Sequence, residues 1–328
     1  MADKKRRHKY TSIGGQALIE GIMMKSPDKT AVAVRLPDGG IDISYMKETS
    51  VKDKFPILKL PVIRGVVGLI ESMAQGYKAL MMSAEKSGFA DEEKDKQKDN
   101  SQGGEEKPKE SMGKVLWGFI MAISSVLAVI LSVFLFMYIP ALAFNGIKYI
   151  FGDGIVPFAS LFEGVIKLIV LVTYMYVVSL MKDIKRVFMY HGAEHKTIFA
   201  YEKNLELTVE NVRIQRRFHP RCGTSFLILM VLVSILISSV IAIAFPILRA
   251  NIYVWVIIKI LLIPLICGLG YELIRVCGKH DNTLTRIISA PGTWLQHITT
   301  KEPDDDMIEV AIAALNAVKP ENPEEFQC

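Results

Sequence analysis

Residues 115–144 read VLWGFIMAISSVLAVILSVFLFMYIPALAF, a run free of Lys and Glu and far more apolar than the rest of the chain. A bilayer crossing takes about 20 apolar residues, so this stretch alone makes the protein a membrane-protein candidate. Three more windows have the required length: roughly Phe158–Met181, Ser225–Leu248 and Ile252–Ile274. In the second, Glu163 and Lys167 lie near one end, where a long side chain reaches the headgroups. The fourth carries Lys259, Pro264 and Glu272, with Lys259 expected to snorkel outward. The reading is a mainly α membrane protein with about four transmembrane helices, a small cytoplasmic β-containing N-terminal module and a helical cytoplasmic loop.

Composition agrees once it is read by segment. The chain is 51% hydrophobic, only slightly above a soluble protein, but the apolar and charged residues are segregated. Residues 88–114 are almost all charged or polar, which predicts a disordered linker. No apolar h-region follows the basic start MADKKRRHKY, so a cleaved signal peptide is not expected. Cys222, Cys267, Cys277 and Cys328 show no paired spacing, and reduced thiols are expected. The net charge of +5 is modest and the basic residues cluster beside apolar spans, so the lipid bilayer is the expected partner and nucleic acid is not. Oligomeric state is not legible.

Basic residues in short loops set orientation. Nine of them (Lys182, Lys185, Arg186, Lys196, Lys203, Arg213, Arg216, Arg217, Arg221) lie between spans two and three, against Lys148 and Arg249 alone in the other two connections. The 182–224 loop and both termini are therefore expected on the cytoplasmic side of the plasma membrane. The organisation is then a cytoplasmic module at 1–87, the linker at 88–114, a transmembrane hairpin at 115–181, the loop at 182–224, a second hairpin at 225–275 and a tail at 276–328.

Within the module, Thr30–Leu36 and Ile41–Tyr45 alternate about the turn signal Pro37–Gly40 and predict a β-hairpin. The glycines of GGQALIEGIMMKSP (14–27) read as tight turns, or as a loop closing over a site. Pro61 opens a helix over 62–86 whose apolar face either lies in the membrane surface or packs on the protein, packing being the preferred reading. Asp304–Asp306 precede an amphipathic helix at Met307–Val318.

The chemistry concentrates after span two, in MKDIKRVFMYHGAEHKTIFAYEKN (181–204). No proline interrupts it, so the span-two helix is expected to run on, placing His191 and His195 one turn apart on one face with Glu194 nearby and Glu202 returning to that face. H-x-x-E-H is the inverted zincin spacing, in which two imidazoles bind zinc and the carboxylate activates water. The bland alternative is two solvated histidines. Further on, HPRCGTS brings His219 and Cys222 into a second chelate pair, with a turn into span three as its plain alternative. Together His191, His195, His219 and Cys222 make a candidate divalent metal site, with zinc the expected ion. Four protein ligands close a tetrahedral ion, as in structural sites, whereas a catalytic ion keeps one position for water; Glu194 as general base requires one of the four not to ligate. Glu272 is read as pairing with Arg275, and His280 and His297 as ordinary residues.

GGQALIEGIMMKSP, HGAEHKTIFAYE, LTVENV, HPRCGTSFL and LQHITTKEPDDDMIEVAIAAL resemble the YqhQ-like family of bacterial multi-pass membrane proteins. The resemblance covers nearly the whole chain apart from 88–113. That family has no established reaction and carries the label of predicted metal-dependent enzyme, which implies a metal site on His191, Glu194, His195, His219 and Cys222. The expected function is a cytoplasm-facing metal-dependent hydrolase acting on a membrane protein or lipid. The alternatives are a scaffold or assembly factor with a structural zinc site, and a transporter.

Overall fold

The structure is a computed structural model describing residues 11–47, 51, 55–89, 123–220, 222–279 and 282–320. The linker from residue 90 on, the start of the first span, Arg221, the His280–Asp281 pair, Cys328 and the chain ends lie outside the described residues. The chain divides into two units, one from residues 1–95, 175–229 and 268–328, the other from 96–174 and 230–267.

The first unit is built on an antiparallel sheet of β1 (Gly14–Leu18), β2 (Gly21–Lys25), β3 (Thr30–Arg35) and β4 (Ile41–Met46), in that spatial order. Alternation sends Ile22, Met24, Ala31 and Ala33 to one face and Leu18, Met23, Val32 and Val34 to the other. The first face packs on α4 (Lys182–Glu202) and α10 (Asp305–Val318), whose Met307, Ile308, Ala311 and Leu315 are fully buried. Burying each of the Met, Ile and Leu side chains contributes about 1.5–3 kcal/mol. The second face packs on Ala79 of α1 (Ile63–Lys86). The glycine-rich segment at 14–25 is thus a pair of strands and not a loop. Period-two apolar residues straddle its glycines, and the turn falls on Ile19–Glu20, where Glu20 takes φ +50°.

Helix α1 forms where expected but buries a different face. Gly65, Gly76, Ala79 and Ser83 are its buried residues, while Ile70, Met73, Tyr77 and Met81 stay about half exposed or more. Small residues admit the neighbouring chain closely: a Cβ on Gly65 would lie 2.8 Å from Tyr271 Cβ. The apolar stripe is therefore divided: Leu80 packs with Ala79 against the sheet and Val66 and Val67 are half-buried, whereas Ile70, Met73, Tyr77 and Met81 are left exposed. Helix α4 is also separate from the second span, since Met181 is extended at ψ 134°. Apolar continuity hid that break, because no proline or glycine marks it.

After α5 (Val209–Arg213) the chain enters α6 (Gly223–Ala244). The tail holds an unforeseen helix, α9 (Thr283–Thr299), started by a capping box at Asn282 and Thr285. Pro291 and Gly292 in its interior disguise it. Gly292 is where it crosses α6, since a Cβ there would lie 2.5 Å from Ser225 Cα.

Among the described residues three helices are long and apolar enough to cross a membrane: α2 (Ile123–Phe151), the stretch Asp153–Ser179 ending in α3 (Ala159–Ser179), and α6. A fourth span results if α7 (Ile252–Leu261) and α8 (Ile263–Lys279), bent by 46° at their junction, count as one. Inside the second unit the charged residues of these spans face one another. The Glu163 carboxylate accepts from Arg249 Nη2 at 2.7 Å, from Trp255 Nε1 at 3.3 Å and from Lys259 Nζ. Lys167 donates to Ser234 Oγ at 3.3 Å. Lys259 is 2% exposed and does not snorkel; Glu163 and Lys167 are likewise buried. A low-dielectric surrounding favours mutual pairing once a carboxylate lies within reach. In the first unit Glu272 pairs with Arg64 through two hydrogen bonds, at 2.6 and 2.5 Å, in place of the expected Arg275.

Candidate metal centre

Helix α4 presents His191 and His195 on one face, with ring centroids 4.4 Å apart. Each ring is fixed by a main-chain carbonyl: His191 Nδ1 lies 2.8 Å from Thr299 O, and His195 Nδ1 lies 2.5 Å from Arg217 O. A carbonyl only accepts, so both Nδ1 atoms carry the proton and both Nε2 atoms keep a lone pair. Metal-binding histidines are commonly oriented in this way. Gly192 between them makes the arrangement possible. A Cβ there would sit 2.1 Å from Lys301 O, and the adjoining chain is tied to α4 by Lys301 N–H donating to Phe188 O at 2.8 Å.

Cys222 reaches the same point from the turn that precedes α6. Its N–H donates to His219 O at 3.3 Å, and its sulfur lies 3.1 Å from His191 Nε2. Thr224 serves the sulfur from the other side, with its N–H at 3.4 Å and its Oγ1 at 3.1 Å. His191, His195 and Cys222 each bring a ligand atom into a group whose members lie within 4.8 Å of one another. Two neutral imidazole nitrogens and a sulfur are a donor set that suits zinc.

His219 is not in that group. It is buried, its ring centroid is 5.6 Å from that of His195, and its Nε2 lies 3.7 Å from Glu202 Oε2. Its peptide is clamped by Gln296, which accepts from His219 N–H at 2.7 Å and donates to His219 O at 2.8 Å. Glu202 also accepts from Thr11 N–H at 3.0 Å. The sequence missed Gln296, Thr299 and the Arg217 carbonyl, because carbonyl acceptors leave no trace in residue type. The heptad spacing of Glu202 from His195 was a legible signal.

Glu194 is 5% exposed. It accepts from the Gly15 N–H, and among the described residues its Oε2 has no hydrogen-bond partner. Burial raises its pKa to about 6, against smaller opposing effects of His191 and the Gly15 N–H. Burial pushes His195 the other way, towards the neutral ring that a metal requires. Gly15 is obligatory for this contact, since a Cβ would lie 3.0 Å from Glu194 Cδ and 2.7 Å from Met23 O. All five predicted residues line one cavity of about 860 Å³, together with Ser12–Ala17 of the β1 region, apolar residues of α4, and Tyr271, Ile274 and Arg275 of α8.

A family model described as "Protein of unknown function (DUF1385)" matches residues 60–321. The chain is 35% identical over 312 residues to "Uncharacterized protein YqhQ" of Bacillus subtilis (strain 168), covering 94% of this chain and 93% of that protein. No solved structure matches.

Proposed function

The chain belongs to the DUF1385 family, and on that premise we propose that it is a metal-dependent hydrolase at the cytoplasmic face of the plasma membrane. One observation carries the reading: His191, His195 and Cys222 converge to within 4.8 Å in the wall of a cavity that also holds Glu194 with an unpartnered carboxylate oxygen. Three protein ligands with room for water are the catalytic pattern, and four are the structural one. The group of three within 4.8 Å among the described residues, with His219 Nε2 lying 3.7 Å from Glu202 Oε2, supports the three-ligand pattern.

His191 Nε2, the free nitrogen of His195 and Cys222 Sγ would hold the ion. When bound, zinc supplies Lewis acidity and makes water acidic enough to lose a proton near neutral pH. Glu194 would serve as the base, with its Oε2 placed to accept a proton from water, and the raised pKa suits it to pass a proton on. Carbonyls of Thr299 and Arg217 hold the imidazoles in the ligating tautomer. Cys222 directly precedes a candidate span, which supports a membrane-associated substrate. The basic 182–224 loop supports the cytoplasmic placement.

Metal analysis of the full-length protein in detergent tests this. Stoichiometric zinc that is lost in His191→Ala and retained in Glu194→Gln is the expected result. Purified protein without stoichiometric metal, or full cellular function with Glu194→Gln, removes the enzyme. In the latter case the scaffold with a structural ion is left.

A further inference from the structure

The backbone of β1 forms one wall of the cavity. Ser12 through Ala17 all line it, and β1 is an outer strand of the sheet, paired with β2. A two-residue turn makes Leu18 and Gly21 a hydrogen-bonded pair. By alternation Gln16 and Gly14 also bond to β2, and the N–H and C=O groups of Gly15 and Ala17 point away from the sheet. The Gly15 N–H does so, since it meets Glu194. Among the described residues no strand pairs with this outer edge. It is open at its start, where Gly14 and Gly15 are exposed and a Cβ on Gly14 would meet nothing within 4 Å, and half-buried at Gln16 and Ala17. Ile13, Val187, Phe188, Ile198 and Ile274 supply apolar lining beside it.

Resting on the hydrolase reading of this site, we infer that its substrate is a polypeptide, bound as an extended strand along the outer edge of β1. A free strand edge offers donors and acceptors at a two-residue repeat, and a polypeptide main chain returns the same repeat. A lipid ester has no such series of groups. The edge runs into the catalytic cluster at Gly15, whose N–H Glu194 already takes, so a docked strand pairs with the Gly15 C=O and the Ala17 N–H and C=O, and its next amide carbonyl lies beside the base. Hydrolysis there consumes one water. Its oxygen bonds the carbonyl carbon, the C–N bond breaks with its electron pair going to nitrogen, and Glu194 carries the water proton to the departing amine.

The test uses full-length Glu194→Gln protein in nanodiscs containing phosphatidylglycerol, presented with a pool of random dodecapeptides and the same pool with alternate amides N-methylated. Captured peptides are counted by mass spectrometry. Capture should fall roughly tenfold or more on N-methylation, equivalent to one or two main-chain hydrogen bonds. Adding Ala17→Pro, which removes an outward N–H while sparing the β1–β2 ladder, should lower capture equally with zinc content unchanged. Capture indifferent to N-methylation overturns strand docking, whatever the state of the proline variant. Release of fatty acid by the unsubstituted protein with no peptide enrichment overturns the substrate class and keeps the hydrolase. Absence of zinc sinks the hydrolase separately, because capture is read on the β1 edge.

Discussion

The Nε2 atom of His191 lies 3.1 Å from the sulfur of Cys222, although 31 positions separate them in the chain. One comes from the middle of a helix and the other from the turn before a candidate span, and the contact brings the two chelate pairs of the sequence partly together. With His195 they make a three-atom donor set that leaves His219 outside.

That division predicts different fates for the two cysteine-loop residues. Cys222→Ser should lower zinc affinity by more than the about 10–100-fold typical of losing an outer hydrogen-bond partner. His219→Ala should leave zinc content unchanged while costing about 2 kcal/mol of stability through its buried packing against Phe199 and His195. Competition with a chromophoric chelator reads the first, and denaturation in mixed micelles the second. Loss of zinc in His219→Ala would restore the closed four-ligand site.

Glu194 makes metal-free protein sensitive to pH in a defined direction. Its folded pKa of about 6 stands above the ordinary value of 4.5, so the folded state holds the proton more tightly than the unfolded state. Stability from this group is present below 4.5 and is lost as pH rises to about 6, a change of about 2 kcal/mol. Glu194→Gln cannot ionise and should lack that slope. Melting temperatures of both proteins across pH 4 to 7 (a window of roughly three units around the shift) compare them directly, and parallel curves refute the buried carboxylate.

Gly192→Ala should destabilise by about 3 kcal/mol, because its Cβ would meet the Lys301 carbonyl at 2.1 Å with backbone on both sides. The same change pushes the 299–303 segment off α4 and with it the carbonyl that orients His191. Zinc affinity should fall in parallel, read by the same chelator competition. A variant as stable and as tightly metallated as the parent contradicts that packing.

In the second unit, Glu163→Gln leaves Lys259 and Arg249 without their shared carboxylate. Removing one member of a buried pair costs about 3–5 kcal/mol, and the loss should appear in SDS-induced unfolding. Lys148, whose partner Asp153 is 86% exposed, serves as the control: Lys148→Ala should change stability by well under about 1 kcal/mol.

The stripe Ile70, Met73, Tyr77 and Met81 on α1 is apolar and exposed, which fits contact with the membrane surface. Tryptophan placed at Met73 should be quenched by lipids brominated near the headgroup when the protein is in nanodiscs. Fluorescence unchanged by those lipids leaves the stripe to another partner.

The sequence by itself determined the apolar spans, the chelate spacing of His191 and His195, and the position of α1 and α10. These are local properties: hydropathy sums over neighbours along the chain, and a helix face repeats every few residues. The strands β1 and β2 were legible in principle, as their apolar residues alternate, but glycines are also turn residues and the turn reading competed. Only the tertiary structure decided that Cys222 joins the histidines while His219 turns to Glu202, that Lys259 faces Glu163, and that the edge of β1 borders the same cavity. Those outcomes depend on which side chains meet across tens to hundreds of residues. Each is selected by burial and by the pairing of polar groups in a low-dielectric interior, and neither is written in the spacing of any one segment.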